Sequence, residues 1–263
     1  MSASGYGDSR GSLSSRPTAH RRRPPLRSSR WHAHGNVYLV HDGPTAGADL
    51  SGTDGAVEVL SVEGDDVTIG IVNPDGSRAE MSGNGTRIAA AWLMSRTGSA
   101  EARVHVGPRI VDVRRTADGL YESELGPLEV GEPEIVDGVE LIPVSVGNPH
   151  AVVVGDPSLI AEVGPRLEAH PRFPGRTNVQ VVRVERRGEV TARVWERGVG
   201  ETAASGTSAV AVAAATHRDG EVVVDFPGGD LRVRLAGGRA WLTGPAEPLD
   251  ELPGLRAGGG TDR

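Results

Sequence analysis

The sequence predicts an α/β protein made of two pseudo-equivalent units, each with strands wrapped around one buried helix. Three observations predict this fold class: an internal repeat, two alanine-dense segments that follow glycine-rich turns, and valine-rich segments around them. The repeat is visible at two offsets. An offset of 123 residues aligns residues 67–73 with residues 190–196, and an offset of 112 residues aligns residues 35–40 with residues 147–152.

The two alanine-dense segments are expected to be helices over residues 84–95 and 207–217. Both lack proline, and Ser82 and Ser205 stand at their glycine-rich entries, which is typical of helix starts. Neither segment carries a polar stripe, so each helix is expected to be buried. The surrounding strands are expected at residues 57–62, 103–113, 179–184, 190–195, 221–226 and 231–235, with a hairpin turn at Pro227-Gly228-Gly229-Asp230 between the last two.

The chain has 263 residues and a net charge of −7, and it contains neither lysine nor cysteine; all 28 basic residues are arginine. Without lysine there is no Schiff base to pyridoxal phosphate and no Walker-type phosphate loop. Without cysteine there is no disulfide, thiolate zinc site, iron–sulfur cluster or thiol nucleophile. The composition therefore excludes several large classes of enzyme and indicates a soluble globular protein.

Positive charge is concentrated at the N-terminus, where residues 1–30 carry seven arginines and the single acid Asp8. This serine-, glycine- and proline-rich segment is expected to be a disordered basic tail, because it has too few apolar residues to offset the entropy lost on ordering. The pair Arg21–Arg22 has no apolar run after it, so an export signal is not favoured. We expect a passive tail without nucleic-acid binding, no membrane span, and a cytoplasmic location.

Both repeats place polar residues where chemistry can occur. In each repeat a strand ends in a polar residue, Asn73 or Glu196, and a glycine-rich loop then leads to a serine at a helix start. Helix N-termini attract anions, so two facing N-termini would hold one carboxylate and stabilise charge that develops beside it. Acid and base groups on either side could then move a proton. The repeat alone is equally compatible with glycine turns that merely enter core helices.

The body of the chain, from about residue 32 to residue 245, resembles the diaminopimelate epimerase family. Eight motifs in order carry the resemblance. They are His32-x-x-Gly35-Asn36-x-Tyr38, Asn73-x-Asp75-Gly76-Ser77, Ser82-Gly83-Asn84-Gly85-x-Arg87, Gly147-Asn148-Pro149-His150, Arg172-Phe173-Pro174-x-Arg176-x-Asn178, Glu196-Arg197-Gly198-x-Gly200-Glu201-Thr202, Ser205-Gly206-Thr207 and Pro227-Gly228-Gly229.

The resemblance implies two pseudo-symmetric domains, each a curled mixed β-sheet or barrel around a central helix, with the site between them. It implies no metal and no other cofactor. The expected segments are the tail 1–30, an N-terminal domain 31–138 completed by about residues 240–252, a C-terminal domain 139–239, and a flexible tail 253–263.

The sequence departs from the family pattern at its centre. The resemblance implies two cysteines, one abstracting and one returning the α-proton, at the positions of Ser82 and Ser205. A thiol at a helix N-terminus ionises near neutrality, whereas an alkyl hydroxyl needs a neighbouring base. The family's two-thiol epimerisation is therefore not expected. A smaller departure is Asp54-Gly55, where the family usually has aspartate and glutamine.

The remaining pocket matches the family. Ser82, Ser205, His150 and Glu196 are the expected catalytic residues, with His150 or Glu196 as the base and the serines as relays or hydrogen-bond donors. The expected substrate-binding residues are Asn36, Asn73, Gly83, Asn84, Asn148, Asn178, Arg197, Gly206 and Thr207, of which the backbone amides after each serine would hold the reacting carboxylate.

The leading hypothesis is a cofactor-independent isomerase that epimerises, or moves a double bond in, a small amino-acid-like carboxylic acid, as an enzyme of specialised metabolism. One alternative is an amino-acid-binding relative that is inactive, through natural or engineered replacement of cysteine by serine. Others are a dehydratase or lyase on the same scaffold, and a nucleotide-binding oxidoreductase suggested by Gly198-x-Gly200-x-x-Ala203 and Asp225. The expected partner is a small-molecule substrate, and a homodimer is left open.

Overall fold

The computed structural model describes Met1, residues 28–46 and residues 48–249. Most of the basic tail expected to be disordered, and the whole of the expected flexible tail 253–263, lie outside these residues. The boundary at residue 30 differs from the structure, because Ser28, Ser29 and Arg30 already belong to the first strand and pair with residues 39–41.

The first half of the chain wraps eight strands around one helix. The elements of this half are β1 (Ser28–Ala33), β2 (Asn36–Asp42), β3 (Gly55–Glu63), β4 (Asp66–Val72), β5 (Arg78–Ala79), α1 (Gly83–Thr97), β6 (Glu101–Val106), β7 (Arg109–Arg115) and β8 (Tyr121–Pro127). Helix α1 begins after Ser82, whose hydroxyl accepts the N–H of Gly85. It is followed by Gly98, which has the left-handed conformation (φ 77°) that glycine tolerates best.

The second half repeats this order with one additional helix. Two short strands, β9 (Glu129–Val130) and β10 (Glu134–Val136), lead into it. Its elements are β11 (Val139–Ser145), β12 (Pro149–Val154), α2 (Ile160–Glu168), β13 (Asn178–Arg186), β14 (Glu189–Glu196), β15 (Gly200–Thr202), α3 (Gly206–Thr216), β16 (Gly220–Phe226), β17 (Gly229–Ala236), β18 (Arg239–Gly244) and β19 (Glu247–Pro248).

The strand pairings confirm the pseudo-symmetric fold class. From β1 to β8 the neighbours pair antiparallel for β1–β2, parallel for β2–β3, antiparallel for β3–β4, parallel for β4–β6, and antiparallel for β6–β7 and β7–β8. From β11 to β18 the corresponding pairs follow the same pattern. In each half the central helix lies in the connection between the two strands of the second parallel pair, β4–β6 or β14–β16, so both helices start at corresponding places.

Helix α2 accounts for the two repeat offsets. Twelve residues, 43–54, separate β2 from β3, whereas 23 residues, 155–177, separate β12 from β13 and contain α2. The additional 11 residues equal the difference between the offsets of 123 and 112. Sequence patterning does not predict α2, a nine-residue helix interrupted by Pro165.

Both central helices are buried, as predicted. Residues 83–94 of α1 and 206–213 of α3 are buried, and valine-rich strand faces pack around them. One strand prediction is wrong: residues 103–113 do not form one strand but the hairpin of β6 and β7. The chain reverses there because Gly107 adopts a left-handed conformation (φ 56°) before Pro108.

The two halves share strand edges. β18 pairs with β8, and β19 pairs with β1, so the last strands of the chain complete the sheet around α1. The pairing agrees with a first domain completed from the C-terminal end, while the exact domain limits stay a prediction. In the part of the chain that the structure covers, no helix is long and apolar enough to cross a membrane.

Candidate active site

The two central helices begin against each other. Ser82 precedes α1 and Ser205 precedes α3, and both serines have extended backbones, with φ −137° and −142°. A Cβ at Gly83 would stand 3.0 Å from the Cα of Gly206, and a Cβ at Gly206 would stand 3.1 Å from the Cα of Gly83. Glycine at both positions therefore lets the first turns touch and brings their unpaired N–H groups close together.

A cavity of about 340 Å³ opens where the helices meet. It is lined from both halves, because the loop after β4 and the loop after β14 each lead into a helix start. Eleven of the thirteen residues expected at the site from the sequence line this cavity, and their roles stay predictions. These residues are Asn73, Ser82, Gly83, Asn84, Asn148, Asn178, Glu196, Arg197, Ser205, Gly206 and Thr207.

The structure does not bring Asn36 and His150 to the cavity wall. Asn36 is 5% exposed, and its side-chain amide donates a hydrogen bond to the carbonyl of Ala204, the residue before Ser205. It therefore ties β2 to the start of α3 instead of facing a ligand. His150 is 1% exposed and lies behind Asn148, in the layer beneath the wall.

His150 belongs to a buried hydrogen-bond chain. Gln180 Nε2 donates to His150 Nδ1 at 3.0 Å, which leaves the ring proton on Nε2 to donate to Asn148 Oδ1 at 3.0 Å. Burial, helped by nearby Arg197, lowers the pKa of His150 to about 3, so the imidazole is neutral. Asn148 in turn lies 3.4 Å from Thr207 Oγ1. His150 is thus placed to orient Asn148 rather than to exchange a proton with a ligand.

Tyr38 lines the cavity, although sequence reasoning assigned it no role. Its hydroxyl lies 3.0 Å from Ser82 Oγ, which also accepts the N–H of Gly85 at 3.0 Å. Burial, with the nearby Glu196 charge, raises the pKa of Tyr38, so the phenol keeps its proton. In the sequence, Tyr38 is an aromatic residue of the His32-x-x-Gly35-Asn36-x-Tyr38 motif on an expected apolar segment, which is more typical of a core residue.

Glu196 stands beside the other capping serine. Thr202 Oγ1 donates to Glu196 Oε1 at 2.6 Å. Burial raises the pKa of Glu196, and hydrogen bonds from Thr202 and Ser205 oppose part of that rise. Each helix start therefore carries a serine next to one titratable side chain: Tyr38 beside Ser82, and Glu196 beside Ser205.

Arginines at the cavity wall are already paired with carboxylates. Arg197 donates to Glu80 at 2.8 Å, which joins the two halves across the cavity, and its backbone N–H donates to Asn178 Oδ1 at 3.0 Å. Nothing in the sequence marked Glu80, a single acidic residue between Ala79 and Met81. The other pairs are Arg78 with Glu58 at 2.8 Å and Arg176 with Glu168 at 2.6 Å.

The dinucleotide-binding interpretation finds no support at this cavity. Asp225, the acid it requires, lies opposite Asp230 across the β16–β17 hairpin and does not line the cavity. The other lining residues, for which the sequence predicted no role, come from the loops after β4 and β14 and, for Gly175, from the loop between α2 and β13. They are Asp75, Ser77, Ala79, Met81, Gly175 and Gly198.

Comparisons with known proteins identify close relatives. The diaminopimelate epimerase family model matches residues 142–247. The diaminopimelate epimerase of Pseudomonas savastanoi pv. phaseolicola is 38% identical over 203 residues, which span 67% of this chain and 74% of that enzyme. The diaminopimelate epimerase of Desulforudis audaxviator is 38% identical over 239 residues, which span 78% of this chain and 85% of that enzyme.

A solved structure shares the fold at low sequence identity. The hydroxyproline epimerase of Agrobacterium vitis, crystallised with trans-4-hydroxy-L-proline, superposes with a TM-score of 0.64 at 14% identity. The match covers 85% of this chain and 89% of that one. This similarity supports the two-unit fold seen in the strand pairings.

Proposed function

The chain belongs to the diaminopimelate epimerase family, and from this we propose that it is a cofactor-independent isomerase acting on a small amino-acid-like carboxylic acid. The proposed reaction removes a proton from the carbon next to a carboxylate and returns one, either to the opposite face of that carbon or further along the chain so that a double bond moves. The observation that carries the proposal is the contact of two helix N-termini, each beginning at a serine beside a titratable side chain.

The helix starts suit a carboxylate at the reacting end of the substrate. Backbone N–H groups of Gly83 and Asn84 belong to the first turn of α1, and those of Gly206 and Thr207 to the first turn of α3. These groups have no partners within their own helices, and each helix adds partial positive charge at this end. A carboxylate held there has a more acidic α-proton, because the enolate-like transition state meets donors already in place.

Glu196 is the proposed base. As the α-proton passes to Ser205 Oγ, the Ser205 hydroxyl proton passes to Glu196, and the electron pair of the C–H bond moves into the enolate. A carboxylate whose pKa is raised by burial is a stronger base than an exposed one. Glu196 ends this half-reaction protonated, and exchange with water restores it.

Ser82 and Tyr38 are the proposed donor on the other face. The Ser82 hydroxyl proton passes to carbon, and the Tyr38 phenol proton replaces it across their 3.0 Å contact. Tyr38 is then a phenolate, which a proton from water restores. Of the two candidate bases that the sequence suggests, this scheme uses Glu196, and His150 is instead a positioning residue that acts through Asn148.

The serines separate this proposal from the chemistry that the family resemblance implies. An alkyl hydroxyl does not ionise near neutral pH, so Ser82 and Ser205 act only through Tyr38 and Glu196, whereas a thiol can act alone. We therefore propose a related but different proton-transfer reaction, in a cytoplasmic, specialised pathway.

Hydrogen exchange tests the proposal directly. The protein is incubated in deuterated water with meso-diaminopimelate and with a panel of L-amino acids, and α- and γ-hydrogens are followed by NMR. We expect loss of an α- or γ-proton signal with one of these acids, and no loss with the Glu196→Gln variant. Absence of exchange with every acid, beside a diaminopimelate epimerase that exchanges normally, would contradict the proposal.

A second function is favoured by the hydroxyls at both helix starts: binding of an amino acid without turnover. Calorimetric binding of meso-diaminopimelate together with no exchange would support it. The double variant Ser82→Cys, Ser205→Cys adds a second measurement, because exchange that appears only in this variant shows an intact pocket lacking its acid and base. New vinyl signals in the NMR experiment would instead indicate a lyase.

A further inference from the structure

Arg87 is a buried cation that lies behind Gly83 and Gly206, where the two helix starts line the cavity. It lies one turn after Gly83 in α1 and is 0% exposed. Among the residues that the structure covers, its hydrogen-bond partners are neutral oxygens. They are Asn84 Oδ1 at 2.7 Å, the Gly83 carbonyl at 3.2 Å and the Pro245 carbonyl at 3.5 Å.

The guanidinium stands directly behind the contact between the two helix starts. A Cβ at Gly206 would lie 3.1 Å from Arg87 Nη1, so the charge is one backbone layer away from the cavity. Asn84, which accepts from Arg87, lies with its Nδ2 3.4 Å from the Ala204 carbonyl, just before Ser205. Arg87 is therefore linked through Asn84 to the starts of both helices, although it does not itself line the cavity.

A buried charge without a counter-charge is unfavourable, and proteins normally pair such groups. Burial lowers the pKa of Arg87 to about 10, which leaves it protonated at neutral pH. By contrast, Arg78, Arg176 and Arg197 at the rim each contact a carboxylate of the protein. The group that would balance Arg87 is one that arrives in the cavity with a negative charge.

We propose that Arg87 is a positioning residue whose buried charge is the counter-charge of the substrate carboxylate. It acts through the Gly83–Gly206 backbone and does not touch the substrate. This inference rests on the proposed function and deepens it, because it requires the reacting end of the substrate to be an ionised carboxylate rather than an ester, an amide or a neutral carbonyl. The proposed carboxylate site then combines the full positive charge of Arg87 with the partial positive charges of the two helix N-termini.

The test compares an acid with its amide. Calorimetry measures the binding of meso-diaminopimelate and of its diamide to the wild type and to Arg87→Lys, which keeps the charge, and Arg87→Met, which removes it at similar volume. We expect the wild type to prefer the acid by about tenfold or more, Arg87→Lys to stay within about threefold of that preference, and Arg87→Met to lose about tenfold of it. Unfolding curves accompany each variant, and Arg87→Gln, which keeps a donor for Asn84, replaces Arg87→Met if that variant does not fold.

The outcomes separate the two proposals. If Arg87→Met weakens acid and amide equally, Arg87 has only a structural role and the inference fails, while the proposed function stands. Equal affinity of the wild type for acid and amide also overturns the inference about Arg87. If the wild type binds neither compound and exchanges no acid of the panel, the proposed function fails and this inference fails with it. Arg234→Met, at a surface arginine over Trp241, controls for the change in net charge.

Discussion

The hydroxyl of Tyr38 lies 3.0 Å from the hydroxyl of Ser82 and thereby connects strand β2 to the first turn of α1. Ser82 Oγ also accepts the N–H of Gly85, so with Tyr38 as donor both acceptor positions of the serine are used. Its own proton is then left to face the cavity. Burial raises the pKa of Tyr38 and keeps the phenol a donor, so Tyr38 sets the direction of the Ser82 proton.

Replacing Tyr38 by phenylalanine tests this arrangement. Tyr38→Phe removes the donor while keeping the ring, so we expect the exchange rate to fall by about a hundredfold and the free energy of unfolding by about 1 kcal/mol or less. Rates come from the NMR exchange experiment and stability from urea unfolding. Tyr121→Phe is the matched control, because Tyr121 is equally buried and lies away from the cavity. Exchange at the wild-type rate in Tyr38→Phe would remove Tyr38 from the mechanism.

The two serines should differ in what they contribute to stability. Ser82 caps α1 through the Gly85 N–H, whereas Ser205 makes no side-chain capping bond to α3. We therefore expect Ser82→Ala to lower the free energy of unfolding by about 1 kcal/mol, and Ser205→Ala to lower it by clearly less. Equal losses, measured by urea unfolding at the same pH, would show that the capping difference does not exist in solution.

The pH dependence of stability should report Glu196. Because burial raises its pKa above the value in the unfolded chain, the folded protein holds that proton more tightly. The free energy of unfolding therefore falls as the pH rises through the window from the ordinary glutamate pKa to the raised one. We expect Glu196→Gln to be more stable than the wild type at neutral pH, with a difference that shrinks toward pH 4. Melting curves between pH 4 and 8 measure it, and a difference independent of pH would be the contrary result.

Thr202 is expected to influence the pH at which the hydrogen-exchange activity rises on the acid side of its pH profile. A base must be ionised, so exchange is expected to rise with pH as Glu196 loses its proton. Thr202→Val removes a hydrogen bond that holds the pKa of Glu196 down, and we expect the acid limb to move to higher pH. Thr191→Val is the matched control, since Thr191 on β14 donates to Glu185 on β13, and neither residue lines the cavity. A shift of the same size in both variants would exclude a specific effect on Glu196.

Glu80 should weaken the binding of ligands that carry a second carboxylate. It occupies the Arg197 guanidinium in an exposed ion pair, and such pairs are worth about 0–1 kcal/mol. We expect Glu80→Gln to bind meso-diaminopimelate about two- to fivefold more tightly by calorimetry, and to bind L-lysine, which lacks the second carboxylate, unchanged. Asp137→Asn breaks an exposed pair with Arg166 outside the cavity and serves as control. Equal tightening for both ligands would argue against competition at Arg197.

The sequence predicts the parts of this structure that depend on local pattern. Alanine density and glycine turns place both helices within two residues of their observed ends, and the repeat leads to the correct pseudo-symmetric class. The hairpin at Gly107 and helix α2 were not predicted, because valine alternation continues across the turn in the first case, and Pro165 interrupts the helical pattern in the second. Short-range sequence patterns therefore do not reveal this hairpin or this helix.

Among the residues expected at the site, those on the two glycine-rich turns line the cavity, whereas Asn36 and His150 are buried outside its lining. Asn148 and His150 share one motif, but Asn148 lies in the turn before β12 and lines the cavity, whereas His150 lies within β12 and is buried. Tyr38 reaches Ser82 only because β2 passes the start of α1, a relation between residues 44 positions apart. Glu80 and Arg197 meet only through the assembly of the two halves, which no spacing along the chain reveals.

The pairing of β18 with β8 has a consequence for how the protein forms. Leu242 lies opposite Ser123, and Pro248 lies opposite Trp31, so the sheet around α1 closes only after β18 and β19 have left the ribosome. Contacts of such large sequence separation fold slowly. The nascent N-terminal half therefore exposes an open strand edge, and neither half alone forms the cavity between the two helix starts.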